Sequence, residues 1–118
     1  SAMVRIMSIA DKLRAARRIK IKVGDITFTG TRATPEQFSR YATQASTDAE
    51  VCRVHIDGWE NVKECDLIEG GSKDPIKFNR EDFSEAIADK PEWYRPIVAE
   101  IIKDAKERFQ KKAENEKN

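Results

Sequence analysis

Reactive and metal-binding side chains are scarce in this chain of 118 residues, which contains one histidine and two cysteines. Two cysteines are too few for the disulfide framework of small secreted domains, so a reducing cytosol is the expected setting. A structural zinc site needs four ligands, usually as two closely spaced pairs. The chain offers one near-pair, Cys52 and His55, with Cys65 much further along. The sequence therefore predicts no metal site and no cofactor.

Long apolar runs and phosphate-binding glycine loops are also missing. No run approaches the roughly 20 apolar residues that cross a bilayer, and no secretory signal pattern is present, so no membrane partner is predicted. Gly70 and Gly71 lack the neighbours of a phosphate loop or a nucleophile elbow. A Cys–His nucleophile pair would also need an orienting group and an oxyanion hole. We therefore predict no catalytic residues and no enzyme activity.

Charged residues are abundant, at 36%, and their signs are separated along the chain although the net charge is only +1. Residues 1–23 carry seven basic groups and one acidic group, and residues 57–89 carry four basic and ten acidic groups. Opposite charge at two places on one small domain favours head-to-tail contact between copies, which closes into a ring or continues as a filament. The candidate interface residues are basic near the N terminus and acidic in the middle: Arg14, Arg17, Arg18, Lys20, Lys22, Asp57, Glu60, Glu64 and Asp66.

The basic N-terminal arm leaves a second interpretation open. Its lysines and arginines could contact the phosphates of a nucleic acid. No aromatic residue is interleaved with them, the middle of the chain is acidic, and no recognition motif is present. A nucleic-acid-binding accessory protein is therefore the alternative to a protein-binding function, and nucleic acid is the less favoured partner.

The hydrophobic pattern predicts an α+β fold: a mostly α-helical single domain with an N-terminal β-hairpin packed on a helical bundle. Residues 19–29 alternate apolar and polar side chains around Gly24-Asp25, which is typical of a hairpin with a type II′ turn. A helix from Thr47 is predicted to run to Gly58 with Val54 facing inward, although residues 51–56 could instead form a strand. Capping residues predict other helix starts at Ser8, Thr34 and Asn79, and the last helix begins near Pro91 or Pro96.

Three segments follow from this pattern. Residues 1–18 form a basic segment with a short helix, residues 19–109 the folded domain, and residues 110–118 a flexible charged tail. Residues 61–77 are interpreted as a connector. The aromatic residues expected to hold the core are Trp59, Phe78, Phe83 and Trp93. Trp59 is expected to pack at a corner where the helix turns after Gly58.

Four sequence segments stand in a recognisable order after the hairpin: "ATPEQF" (33–38), "HIDGWENV" (55–62), "DPIKFNREDFSEAI" (74–87) and "DKPEWYRPIVAEIIKDA" (89–105). In this order the chain resembles the tail assembly chaperones of long-tailed, siphovirus-type bacteriophages. The resemblance covers most of residues 19–109. The arginine-rich segment before the hairpin does not match that family.

The resemblance implies a non-enzymatic chaperone that acts in the cytoplasm of the bacterial host. Such a protein coats the long helical tape-measure protein, recruits subunits of the major tail protein that forms the tube, and is absent from the mature virion. Self-association of copies along the tape-measure helix is the expected arrangement.

Overall fold

A three-stranded antiparallel sheet packed against helices forms the structure, a computed structural model that describes residues 6–116. The helices are α1 (Ile9–Ala16), α2 (Pro35–Thr43), α3 (Asp48–His55), α4 (Glu64–Leu67), α5 (Arg80–Ile87) and α6 (Pro91–Glu116). The strands are β1 (Arg18–Val23), β2 (Ile26–Thr31) and β3 (Ile56–Glu60), with β2 in the centre of the sheet. The predicted α+β class, mostly helical with an N-terminal hairpin, is confirmed.

The N-terminal hairpin has the predicted register. β1 and β2 pair along their full length around Gly24-Asp25. Gly24 has a φ of +61°, which a type II′ turn requires of its first central residue and which glycine adopts without a Cβ clash. Ile21 and Phe28 face the core, and the lysines of β1 face solvent, so one face of the hairpin is covered by helices.

The third strand corrects the predicted helix from Thr47 to Gly58. The helix ends at His55, and the chain continues as β3 along the free edge of β2. Without β3, one row of β2 backbone N–H and C=O groups would be unpaired beside the core. The predicted inward position of Val54 is wrong, because Val54 is 56% exposed while Cys52 is fully buried. Trp59 therefore lies in the core on a strand and not at the corner of a helix.

A bulge in β3 brings two backbones unusually close. The register between β2 and β3 shifts after Thr29, and Asp57 is the extra residue. A Cβ atom at Gly30 would overlap the backbone carbonyl oxygen of His55. The close approach of β2 to the junction of α3 and β3 therefore requires glycine at position 30.

An aromatic cluster fills the space between the sheet and the helices. The ring centroid of Phe28 lies 5.1 Å from that of Trp93 and 6.2 Å from that of Phe83. Trp59 lies 5.1 Å from Phe78 and 6.3 Å from Trp93, in edge-to-face geometry. Such pairs add about 0.5–1.5 kcal/mol each to the stabilisation from burial. All four aromatic residues singled out from the sequence thus belong to one cluster with Phe28.

Two segments contain helix that the sequence pattern did not predict. The connector at residues 61–77 contains the short helix α4. The last helix continues through Glu116, so helix replaces the predicted flexible tail over residues 110–116. Lysine, glutamate, glutamine and alanine dominate this segment, and these residues favour helix without needing burial. The ends of the chain, residues 1–5 and 117–118, lie outside the described residues.

Two helical arms project from the body. No residue of α1 is buried, and residues 106–115 of α6 are all exposed. Phe109 is 62% exposed, and Ala105 is the last buried residue among residues 91–115 of α6. The Cα radius of gyration is 16.7 Å, against about 13.5 Å for a compact domain of this length.

Candidate functional site

The only histidine is a fully satisfied core residue. His55 Nδ1 lies 2.9 Å from the Thr31 carbonyl oxygen, and Nε2 lies 2.7 Å from the Tyr41 hydroxyl. A carbonyl can only accept, so Nδ1–H donates to it, and in the neutral ring Nε2 accepts from the Tyr41 hydroxyl. Burial lowers the pKa of His55, while the bond to Thr31 acts in the opposite direction. His55 therefore joins α3 to β2 and α2.

The two cysteines have different environments. Cys52 is fully buried, and burial, reinforced by the Asp48 carboxylate, raises the pKa of Cys52 to about 12. A thiol with that pKa does not form a thiolate nucleophile near neutral pH. Cys65 is exposed on α4. Within residues 6–116, no three side chains of the His, Cys, Asp and Glu types converge as a metal site would need.

The solvent face of the sheet carries five of the nine predicted interface residues. They lie on β1 and β3, the two edge strands: Arg18, Lys20, Lys22, Asp57 and Glu60. Arg18 reaches across β2 to Asp57 in a two-pronged ion pair, with Nη2 2.8 Å from Oδ1, and this hydrogen bonding raises the pKa of Arg18. Arg18 and Asp57 were predicted to attract residues of other copies, but they neutralise each other within one molecule. Exposed pairs of this kind contribute only about 0–1 kcal/mol.

The remaining predicted interface residues lie on α1, on α4 and at the junction of α1 and β1. Arg14 pairs with Asp11 at 2.6 Å within α1. Asp66 caps α4 by accepting a hydrogen bond from the Lys63 backbone N–H at 2.9 Å. Glu64 and Arg17 line two separate grooves. The structure therefore brings only part of the predicted set together, and the grooves become the candidate site.

The first groove, here called the acidic groove, lies between α4 and α5 and has a volume of about 520 Å³. Its apolar lining residues, here called the floor, are Leu67, Ile68, Ile76 and Ala86. Its other lining residues, here called the rim, are all carboxylates: Glu64, Glu81, Asp82, Glu85 and Asp89. Ile68 is 61% exposed, so the floor presents apolar surface to solvent. None of the described residues that line this groove is a lysine or an arginine.

Local sequence explains why α5 presents this rim. The side chain of Asn79 accepts a hydrogen bond from the Asp82 backbone N–H, which fixes the start of the helix as predicted. Phe83 and Ile87, four residues apart, then face the core, so the acidic residues between and beside them face outward. Only Glu64 of this rim was predicted. Helical spacing in "EDFSEAIAD" was the signal that could have found the others.

The second groove, here called the basic groove, lies where the end of α6 passes the start of α2. Its volume is about 340 Å³, and its cations are Arg17, Arg32, Arg108 and Lys112. Ala33, Pro35 and the exposed ring of Phe109 supply its apolar surface. Burial and then the neighbouring Arg108 lower the pKa of Arg32, while Asp104 opposes them. Only Arg17 of these four was predicted, because the others are far apart in sequence.

The two grooves lie towards opposite ends of α6. Asp89 of the acidic groove stands just before the helix, and Phe109 of the basic groove lies in its last third. At 1.5 Å per residue, about 30 Å of helix separates them. The charge separation of the sequence is therefore retained in space, although through a partly different set of residues. The molecule has an acidic end and a basic end.

In comparisons with protein-family models, with curated proteins and with solved structures, no match to this chain was found. The likeness to tail assembly chaperones thus rests on the sequence segments given above. None of the helices within residues 6–116 combines the length and hydrophobicity needed to cross a bilayer.

Proposed function

We propose that this chain is a non-enzymatic tail assembly chaperone of a long-tailed bacteriophage or prophage. It binds the tape-measure protein, recruits subunits of the tail tube and self-associates head to tail in the host cytoplasm. The observation that carries the proposal is the pair of oppositely charged grooves, each with exposed apolar surface, on one domain. Apolar patches rimmed by polar groups are typical of protein-binding surfaces.

The shape of the acidic groove suits a helical client. Amphipathic helices bind grooves through apolar residues repeated every three or four positions. The floor residues run beside α5, which has eight residues and is therefore about 12 Å long, or about two turns. The family resemblance supplies the identity of the client, because a tape-measure protein is predominantly a long helix.

Coexpression with the tape-measure protein encoded by a neighbouring gene, followed by affinity capture, tests the proposal. We expect copurification at about 0.1 M salt that weakens towards about 1 M, since the Debye length falls from about 10 to about 3 Å. An unrelated coiled-coil protein of similar length serves as the control. Failure to capture the tape-measure protein at low salt, or equal capture of the control, would contradict the proposal.

The basic groove favours one other function, binding of nucleic acid. Four cations at one end of the molecule could contact phosphates, although the net charge of +1 and the acidic groove disfavour this. A gel shift with nonspecific duplex DNA at low salt separates the two functions. A shift that the double variant Arg108→Glu with Lys112→Glu abolishes would support nucleic-acid binding, and absence of any shift would exclude it.

A further inference from the structure

We propose that the acidic groove of one copy is the docking site for α1 of a second copy. The inference rests on the self-association included in the proposed function, and it names the two elements that meet. Both elements are exposed in the single chain and have opposite charge.

α1 has an apolar stripe with a cation at each border. The stripe consists of Ile9, Leu13 and Ala16, at spacings of four and three residues. At 3.6 residues per turn, Lys12 falls on one side of the stripe, and Arg17, the C-cap residue that follows the helix, falls on the other. Arg14 lies on the opposite side of the helix, where it pairs with Asp11. Ile9 is 71% exposed and Leu13 is 51% exposed, so the whole stripe faces solvent in one copy.

The acidic groove is complementary to this stripe in polarity, charge and length. Its apolar floor matches the apolar stripe, and its rim of carboxylates matches the two bordering cations. α1 and α5 have eight residues each, or about 12 Å, so α1 can lie along α5 for its full length. Ile68 of the floor, 61% exposed, would then be covered by Ile9 and Leu13.

The helix and the groove that meet belong to different copies. α1 passes into β1 through Arg17 alone, so no linker extends its reach. Arg17 lines the basic groove, which about 30 Å of α6 separates from Asp89 of the acidic groove. In one copy Ile9 is 71% exposed and Ile68 is 61% exposed, so α1 does not cover the acidic groove of its own molecule. The contact is therefore heterologous and builds a ring or a filament of copies.

Charge reversal on each side tests the docking. The groove variant is Glu85→Lys with Asp89→Lys, and the helix variant is Lys12→Glu with Arg17→Glu. The matched control is Glu100→Lys with Glu107→Lys, two exposed positions of α6 outside both grooves. By light scattering after size exclusion at about 0.1 M salt, wild type and control should form oligomers. Each variant should lose about tenfold or more in association constant.

A variant that changes no charge tests the apolar part of the contact separately from general effects of charge. Ile9→Ser with Leu13→Ser changes only exposed side chains, so melting temperature and helical circular dichroism should stay near those of wild type. Its association should weaken as much as that of the helix variant. Retention of wild-type association by this variant would overturn the inference.

Mixing the two charge variants gives the sharpest result. The groove variant keeps a wild-type α1 and the helix variant keeps a wild-type acidic groove, so these two surfaces should bind each other. The reversed groove and the reversed helix also have opposite charge, so the mixture should form oligomers that neither variant forms alone. A chain with all four reversals should form oligomers again, because its two surfaces have exchanged charge. A mixture that stays monomeric, or a groove variant that associates like wild type, overturns the inference. So does a wild-type chain that is monomeric at about 0.1 mM, while capture of the tape-measure protein would then still support the client-binding part of the proposed function.

Discussion

Replacement of Trp59 tests whether the aromatic cluster holds the sheet on the helices. Its side chain is 8% exposed and its ring packs edge-on against Phe78, Phe83 and Trp93. Its indole N–H donates to the Ile76 carbonyl oxygen at 2.7 Å. One side chain therefore ties β3 to the segment that leads into α5.

Trp59→Ala removes the ring and leaves the Ile76 carbonyl without this donor. Truncation of a buried tryptophan costs about 3–5 kcal/mol, and an unpaired buried carbonyl places the loss in the upper part of that range. The loss is a large share of the roughly 5–15 kcal/mol by which a domain of this kind is stable. Trp59→Phe keeps an aromatic ring and removes the hydrogen bond, so we expect a loss of about 1–2 kcal/mol.

Urea unfolding followed by far-ultraviolet circular dichroism measures both losses, because tryptophan fluorescence would change with the substitution itself. Phe109→Ala is the matched control. Phe109 is 62% exposed, so its loss should change the free energy of unfolding by less than about 0.5 kcal/mol. If the unfolding midpoint of Trp59→Ala equals that of the control, the placement of Trp59 in the core is wrong.

Three further predictions concern the strand contact, the histidine and the thiols. Gly30→Ala should cost about 1–3 kcal/mol in a thermal melt, since β3 must move away from the new Cβ; an unchanged melt would contradict the close approach. The free energy of unfolding should fall as the pH drops below 6.5, the ordinary pKa of His55, because the unfolded chain then binds a proton that the folded chain does not. His55→Gln should flatten this pH dependence in urea titrations between about pH 7 and about pH 5.5. If the variant and the wild type lose stability equally over this range, His55 is not held as a buried neutral ring. A thiol reagent should modify Cys65 in the folded protein and Cys52 only after unfolding; equal rates at both would exclude a buried Cys52.

Elements whose local signals agree were predictable from the sequence. The cap at Asn79 and the alternation around Gly24-Asp25 depend only on neighbouring residues, and both appear in the structure. β3 was not predictable in this way, because its strand conformation depends on pairing with β2, which is distant in sequence. The capping box at Thr47 correctly marks a helix start but carries no information on where that helix ends.

The sequence predicted the charge of the two grooves but not most of the residues that line them. Charge counts along the chain predicted a basic and an acidic region, and the grooves retain that separation. Pairing of Arg18 with Asp57 was invisible to such counts, since it depends on the order of strands in the sheet. The basic groove combines residues from positions 17 to 112, and only the packing of α6 beside α2 brings them together.

Hydrogen exchange measured on dilute and on concentrated protein tests the central claim most directly, namely that this chain works by contact between exposed surfaces. In dilute solution α1 should exchange rapidly, because a projecting helix of eight residues is marginal without packing. On concentration, exchange should slow in residues 9–16 and in residues 64–89, while residues 26–31 of the central strand stay protected throughout. Exchange at α1 and α5 that is independent of protein concentration would contradict the account.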